Sequence, residues 1–347
     1  MKKIAIFLLV VLLLAGGVAA FAYRQVAAYV NAPVGVPVET FEVKRGASLG
    51  SVLEELRVAG VISKPKWVYY WARANKLPAL KAGPYEIEAK QSPLEILAMF
   101  AEGRVKTEAF TIIPGLNRWQ TRDLLAASNW IAKADFDRMC DDQQFLARFA
   151  IPGPTCDGYL YPETYKFARG VTPESVMQAI FESWKKNFTE ATKTGRGPRN
   201  FSPRELMTLA SIVEKETGVS GDRAHVACVF YNRLAAKPPW PLATDPTVIY
   251  AATLLDPKFD GNIKTWHLHE MESPYNTYRV RGLPPGPISS PGRAAMEAVV
   301  SPMQCNDFFF VSMNNGQTVF CPTYECHEAA VQKWQVNYFR KGKSKAK

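Results

Sequence analysis

The sequence predicts an α+β protein hung from an N-terminal transmembrane helix, and three observations predict it. Residues 4–22, IAIFLLVVLLLAGGVAAFA, contain no charge and come close to the roughly 20 residues a helix needs to cross a hydrocarbon core. A short strand, a glycine turn and a short amphipathic helix then recur three times, which favours small mixed layers over one long parallel sheet. Beyond them, helices open with capping-box grammar and alternate with loops rich in proline, glycine and hydroxyls.

The apolar run follows Met1-Lys2-Lys3 and has no lysine directly after it. By the positive-inside rule this leaves the N-terminus in the cytoplasm and the body on the periplasmic or extracytoplasmic side, as a single-pass protein of the cell inner (cytoplasmic) membrane. Ala20-Phe21-Ala22 is the competing sign of a cleaved signal peptide, but the run is longer than a usual signal core. Residues 23–40, with prolines and glycine, read as a tether.

The first strand–turn–helix copy is FEVKRGASLGSVLEELRVAGVI, with Leu49, Val52, Leu53 and Leu56 on one helix face. The second is GPYEIEAKQSPLEILAMFAEG, where Ser92 caps, Pro93 starts the helix and Glu95 completes the box. FTIIPGLNRWQTRDLLAAS is the third. Thr172-Pro173-Glu174 opens a further helix, followed by the basic stretch KKNFTEATKTGRGPRN.

The net charge of +10 over 347 residues favours acidic partners: nucleic acid, anionic lipid or a polyanionic wall polymer. Export removes nucleic acid from that set. Six cysteines suit an oxidising compartment. Cys140 with Cys156, and Cys305 with Cys321 or Cys326, are the pairs suggested by proximity. No CxxC pair occurs, and FCPTYEC fits zinc spacing poorly. His267 and His269 read as exposed histidines of a polar loop, so no metal site is expected.

The chemistry centres on SIVEKETG, 211–218. Ser202-Pro203-Arg204-Glu205 opens the helix that contains it, and Gly218 is expected to close it. Leu206, Leu209, Ala210 and Val213 form its apolar stripe. Glu216 follows Val213 and Ile212 by three and four residues. Glu214 follows Ala210 and Ser211 and is expected in a smaller, wetter setting. Apolar neighbours and the negative end of the helix dipole both favour the protonated form of Glu216, which is what a general acid near neutrality requires. Glu214 is the alternative carboxylate.

Three loops downstream suit a polymer groove: Leu242 to Thr247, SPYNTY (273–278) and GLPPGPISSPG (282–292). Asn276 can serve sugar hydroxyls or an N-acetyl group, and Tyr275, Tyr278 and Trp240 can stack on sugar faces. Thr244 and Asp245 (a turn-fixing or hydrogen-bonding residue), Asn232, and Glu163 and Tyr165 of DGYLYPETY complete the candidate groove set.

Two resemblances follow. The segment 41–62 is similar to a LysM-type unit, which implies binding to N-acetylglucosamine-containing glycan. More specifically, DGYLYPETY, ASIVEKET, VFYNRL, TDPTVIY, YNTY and GLPPGPI-x-x-PG, in this order behind an N-terminal anchor, resemble the endolytic murein transglycosylase (YceG-like) family. That resemblance implies an enzyme that cleaves nascent peptidoglycan glycan strands internally, between N-acetylmuramic acid and N-acetylglucosamine. The product is a 1,6-anhydro end that terminates strand elongation, no cofactor is needed, and peptidoglycan synthases (penicillin-binding proteins) work alongside. In the family motif the second glutamate of EKET is catalytic, which here is Glu216. The chain departs from the pattern at Ala243, where glutamine is usual, and at Thr318, where histidine is usual, while His327 is present. The organisation expected is a cytoplasmic tip (1–3), an anchor (4–22), a tether (23–40), a LysM-like small domain (41–107), a catalytic domain (108–340) and a basic tail (341–347). A hydrolase using Asp245 as second carboxylate and a non-catalytic wall-binding scaffold are the alternatives.

Overall fold

The computed structural model describes residues 2–337; the expected basic tail at 341–347 and the final residues of the expected catalytic domain lie outside them. The architecture mixes helices with short strands, and the strands make three two-stranded sheets among the described residues. The chain divides into two compact units: one up to Ala109 with Lys166–Gly170, the other Phe110–Tyr165 and from Val171 on.

The first unit begins with α1 (Lys2–Val30), then β1 (Val38–Val43), α2 (Leu49–Val58), α3 (Pro65–Ala74), β2 (Gly83–Ile87) and α4 (Pro93–Glu102). One stretch of α1, Ile6–Val30, is long and apolar enough to cross a membrane. The helix does not stop at residue 22. Tyr23 to Val30, read from sequence as part of a tether, stays helical because no breaker occurs before Pro33, and Val30 is fully buried in the unit's core. β1 and β2 pair antiparallel, Phe41 opposite Tyr85 and Val43 opposite Gly83. Val52, Leu53 and Leu56 of α2 and Ile96, Leu97 and Phe100 of α4 fill the space against them. The Ser92–Glu95 capping box forms as its spacing requires. Segment 41–62 falls on β1, the Gly46 turn and α2.

β3 (Thr107–Thr111) and β4 (Thr164–Ala168) pair with each other, and the second unit holds α5 (Arg118–Ala127), α6 (Lys133–Asp141) and α7 (Gln143–Arg148). There follow α8 (Pro173–Ala191), α9 (Pro203–Glu216), α10 (Arg223–Ala235), α11 (Asp245–Leu255), α12 (Thr265–His269), α13 (Arg293–Val300), β5 (Phe309–Ser312), β6 (Thr318–Cys321) and α14 (Tyr324–Val331). Helices α9, α10 and α13 pack on one another through Leu206, Leu209, Val213, Val226, Phe230 and Val299, all with no exposed surface. Burial of six such side chains is the main stabilising term at this centre, at about 1.5–3 kcal/mol each.

Cys140–Cys156, Cys228–Cys305 and Cys321–Cys326 are disulfide-bonded. The expected pairing of Cys305 with Cys321 or Cys326 is therefore wrong. Residue 305 returns to α10, 77 positions earlier in the chain, while Cys321 closes its short loop with Cys326.

Candidate active site

α9 starts at the Ser202–Glu205 capping box and ends at Glu216; Thr217 is already extended (φ −137°, ψ 125°), so the helix stops before Gly218 rather than at a left-handed glycine. This brings Glu216 to the floor of a cleft of about 490 Å³. Asp245 and Tyr278 line the cleft with Ala243 and Thr217, as do Phe309, Phe310, Ser312 and Thr318 of the β5–β6 hairpin and Tyr324 and His327 of α14.

The electrostatics concentrate on Glu216. Burial, first, and the nearby Asp245 carboxylate, second, push its pKa up from 4.5 to about 7, while the Arg233 guanidinium pulls the other way. Arg233 is itself buried, which lowers its own pKa. Its Nε donates to the Phe308 carbonyl (2.8 Å) and its Nη1 to the Leu242 carbonyl. Arg233 thus ties the base of the hairpin to the loop that carries Asp245. Tyr278 donates its hydroxyl to Asp245 Oδ1 at 2.6 Å, which fixes that carboxylate. Ala243 stands at φ +46°, a left-handed conformation unusual for a residue with a Cβ, inside the cleft wall.

The remaining residues named from sequence fall elsewhere. Glu214 is not in the wet setting expected: only 6% of its side chain is exposed, Arg223 Nη2 meets Oε1 at 2.8 Å, and the Gly292 N–H donates to Oε2 at 2.9 Å. Ser211 holds the same loop, accepting the Ile288 N–H on Oγ and the Ser289 hydroxyl on its carbonyl. GLPPGPISSPG is thus held against α9, and none of its residues lines the cleft. Asn276 is fully buried and donates to the carbonyls of His267, Leu268 and Met271, so its amide organises the loop instead of facing sugar. Thr244 is buried beside Thr277. Tyr275 packs on Tyr250, ring centroids 4.9 Å apart. Trp240 rests on Phe308 and Phe309. His267 is buried, its Nδ1 accepting the Lys264 N–H, so the expected exposed pair does not exist.

DGYLYPETY is a bracket. Asp157 accepts from the Tyr250 hydroxyl (2.8 Å) and the Arg118 N–H (3.1 Å), and burial raises its pKa to about 6. Tyr165 donates to the Tyr161 carbonyl, and Glu163 accepts from Ser183; neither lines the cleft. Asn232 donates to the carbonyls of Cys305 and Asp307 and anchors the segment entering β5. Glu216, Asp245 and Tyr278 are the sequence candidates that meet in the cleft. Arg233, Phe309, Phe310 and Ser312 escaped sequence reasoning, although Arg233 stands in the quoted VFYNRL; Thr318 and His327, noted from sequence only as family positions, line the same cleft.

The YceG-like family model matches residues 41–333. This chain is a member of the YceG-like family. It is 29% identical over 314 residues to the endolytic murein transglycosylase of Bacillus subtilis strain 168, covering 84% of this chain and 83% of that one. It is 26% identical over 327 residues to the protein of that name from Streptococcus pneumoniae serotype 2 strain D39, of which it spans 57% while 84% of this chain is covered. A 2.6 Å crystal structure of a YceG-like protein from Listeria monocytogenes superposes with a TM-score of 0.55 at 30% identity, covering 85% of this chain and 99% of that one.

Proposed function

We propose that this protein is an endolytic peptidoglycan lytic transglycosylase, with Glu216 as its one proton-transferring residue. It would be held by α1 in the cytoplasmic membrane with its catalytic unit on the extracytoplasmic side. The observation that carries the reading is a glutamate on a cleft floor whose surroundings keep it protonated near neutrality. The naming of its relatives as murein transglycosylases supports the substrate class.

Protonated Glu216 gives its proton to the glycosidic oxygen between N-acetylmuramic acid and N-acetylglucosamine as that bond breaks with oxocarbenium character. The muramic C6 hydroxyl attacks C1, and the Glu216 carboxylate takes the proton this releases. The leaving strand gains a hydroxyl, the other strand ends in a 1,6-anhydro ring, and no water is consumed. Because the nucleophile belongs to the substrate, the second carboxylate of an ordinary glycosidase is dispensable, and the attack is intramolecular. Arg233 stabilises the carboxylate form between the two transfers, and Asp245, held by Tyr278, offers negative charge to the oxocarbenium centre.

A hydrolase is the second reading, favoured by the Asp245 carboxylate on the same cleft. Digestion of glycan strands by wild type, Glu216→Gln and Asp245→Asn, followed by mass spectrometry, separates the readings. The expected outcome is anhydro ends, loss of at least about 10³ in rate for Glu216→Gln, and a smaller loss for Asp245→Asn. Products heavier by one water, with both variants equally dead, establish the hydrolase. Undiminished product from Glu216→Gln overturns the assignment of Glu216, and a wild type that releases no product leaves a wall-binding scaffold.

A further inference from the structure

The small unit carries a surface that the chemistry above does not use. Residues 64–81 contain Lys64, Lys66, Arg73, Lys76 and Lys81, no acid, and the aromatics Trp67, Tyr69, Tyr70 and Trp71. Helix α3 takes up the first part of this stretch and turns Val68 and Ala72 into the core. On its open face Tyr70 is 68% exposed, and Arg73 and Lys76 lie in solvent. Cations interleaved with tryptophan and tyrosine are the composition of a bilayer interface, where amphipathic rings sit at headgroup level and basic side chains meet lipid phosphates.

The helix α1 fixes where that face stands. From Lys3 to Tyr23 it rises about 30 Å, the thickness of a hydrocarbon core. If α1 crosses a bilayer, Tyr23 therefore marks the level at which it leaves. The Tyr23 ring lies 5.4 Å from Trp71, centroid to centroid, so Trp71 shares that level. Tyr29, about 9 Å further along the same axis, meets Trp67 at 5.8 Å. Helix α3 thus runs back toward the bilayer from Trp67 to Trp71 and delivers Tyr70, Arg73 and Lys76 to it, beside the exposed Arg24. The placement is rigid, because the Tyr29 hydroxyl accepts the N–H groups of Ser63 (2.8 Å) and Lys64 (3.0 Å) and Val30 is in the core.

We propose that the C-terminal half of α3 rests in the headgroup layer of the anionic bilayer that α1 crosses, with Tyr70 and Trp71 at the interface and Arg24, Arg73 and Lys76 against lipid phosphates. The partner is the anionic lipid surface itself. This inference rests on the reading of α1 as a span, and the test separates the two.

All six native cysteines are paired, so single cysteines can be labelled with a nitroxide in the full chain. The positions are Val10→Cys in the span, Tyr70→Cys on α3, and Lys90→Cys as a water reference. Lys90 adjoins Ala89, whose carbonyl accepts the Gly35 N–H beyond the end of α1. In bilayers of phosphatidylethanolamine and phosphatidylglycerol, oxygen should relax the Val10 label most. The Tyr70 label should collide with a water-soluble nickel chelate several-fold less than the Lys90 label. Replacing phosphatidylglycerol by phosphatidylcholine should raise nickel access at Tyr70 about two-fold. Equal nickel access at Tyr70 and Lys90, with Val10 still in hydrocarbon, overturns the docking and leaves the span intact. A water-exposed Val10 label removes the span and the docking together. Tyr70 access that is identical in both lipids overturns the role given to anionic headgroups.

Discussion

Glu216 combines two demands that conflict. Its carboxyl is held up to about 7, from 4.5, chiefly by burial and then by Asp245. Over that window the folded state binds more protons than the unfolded one, so this residue's contribution to stability is full below 4.5 and is lost as pH rises to about 7. Glu216→Gln should therefore be more stable than wild type above pH 7, by roughly 1–3 kcal/mol, and should match it below pH 4.5. Activity, which needs the protonated acid first, should fall about tenfold per pH unit above the same value. Thermal melts and a kcat/KM profile over this range check both; a variant no more stable than wild type on the alkaline side contradicts the raised pKa. Glu216 could be singled out from sequence because helical spacing sets it beside Val213 and Ile212. Asn276 could not be resolved in the same way. An amide serves a sugar or a backbone carbonyl equally well, and only the fold shows three carbonyls converging on it.

At the scale of elements, the site depends on how α9 is held. Glu214, two residues before Glu216, joins Arg223 of α10 to the Gly292 N–H at the start of α13. Glu214→Ala leaves a guanidinium that is 14% exposed without its partner, a change expected to cost about 3 kcal/mol. The urea midpoint should drop accordingly, and Glu214→Gln, which can still accept the Gly292 N–H, should lose less. A midpoint within error of wild type for Glu214→Ala removes the clamp. The helices themselves could be read in advance because their signals are local: the capping boxes at Ser92 and Ser202 lie within four residues of what they satisfy. The cleft wall could not. Phe309 and Phe310 reach Glu216 from nearly a hundred residues away through Arg233 and Asn232, and nothing in the sequence of β5 announces that partner.

For the whole chain, the disulfides differ in what they constrain. Closing 77 residues through Cys228–Cys305 removes far more unfolded-state freedom than closing 5 through Cys321–Cys326, about 4.5 against about 2 kcal/mol in the chain-entropy picture. Replacing the first pair by alanine should lower the unfolding free energy by roughly twice as much as replacing the last, measured by denaturant titration. Equal losses would mean that local packing, and not loop closure, governs both.

If α1 spans a bilayer, its unbroken run from Lys2 to the buried Val30 makes it a lever with no slack joint. A bilayer thinner than the apolar stretch would be met by leaning the helix, and that lean would swing the small unit through the same angle. Membrane thickness would thereby set the posture of that unit.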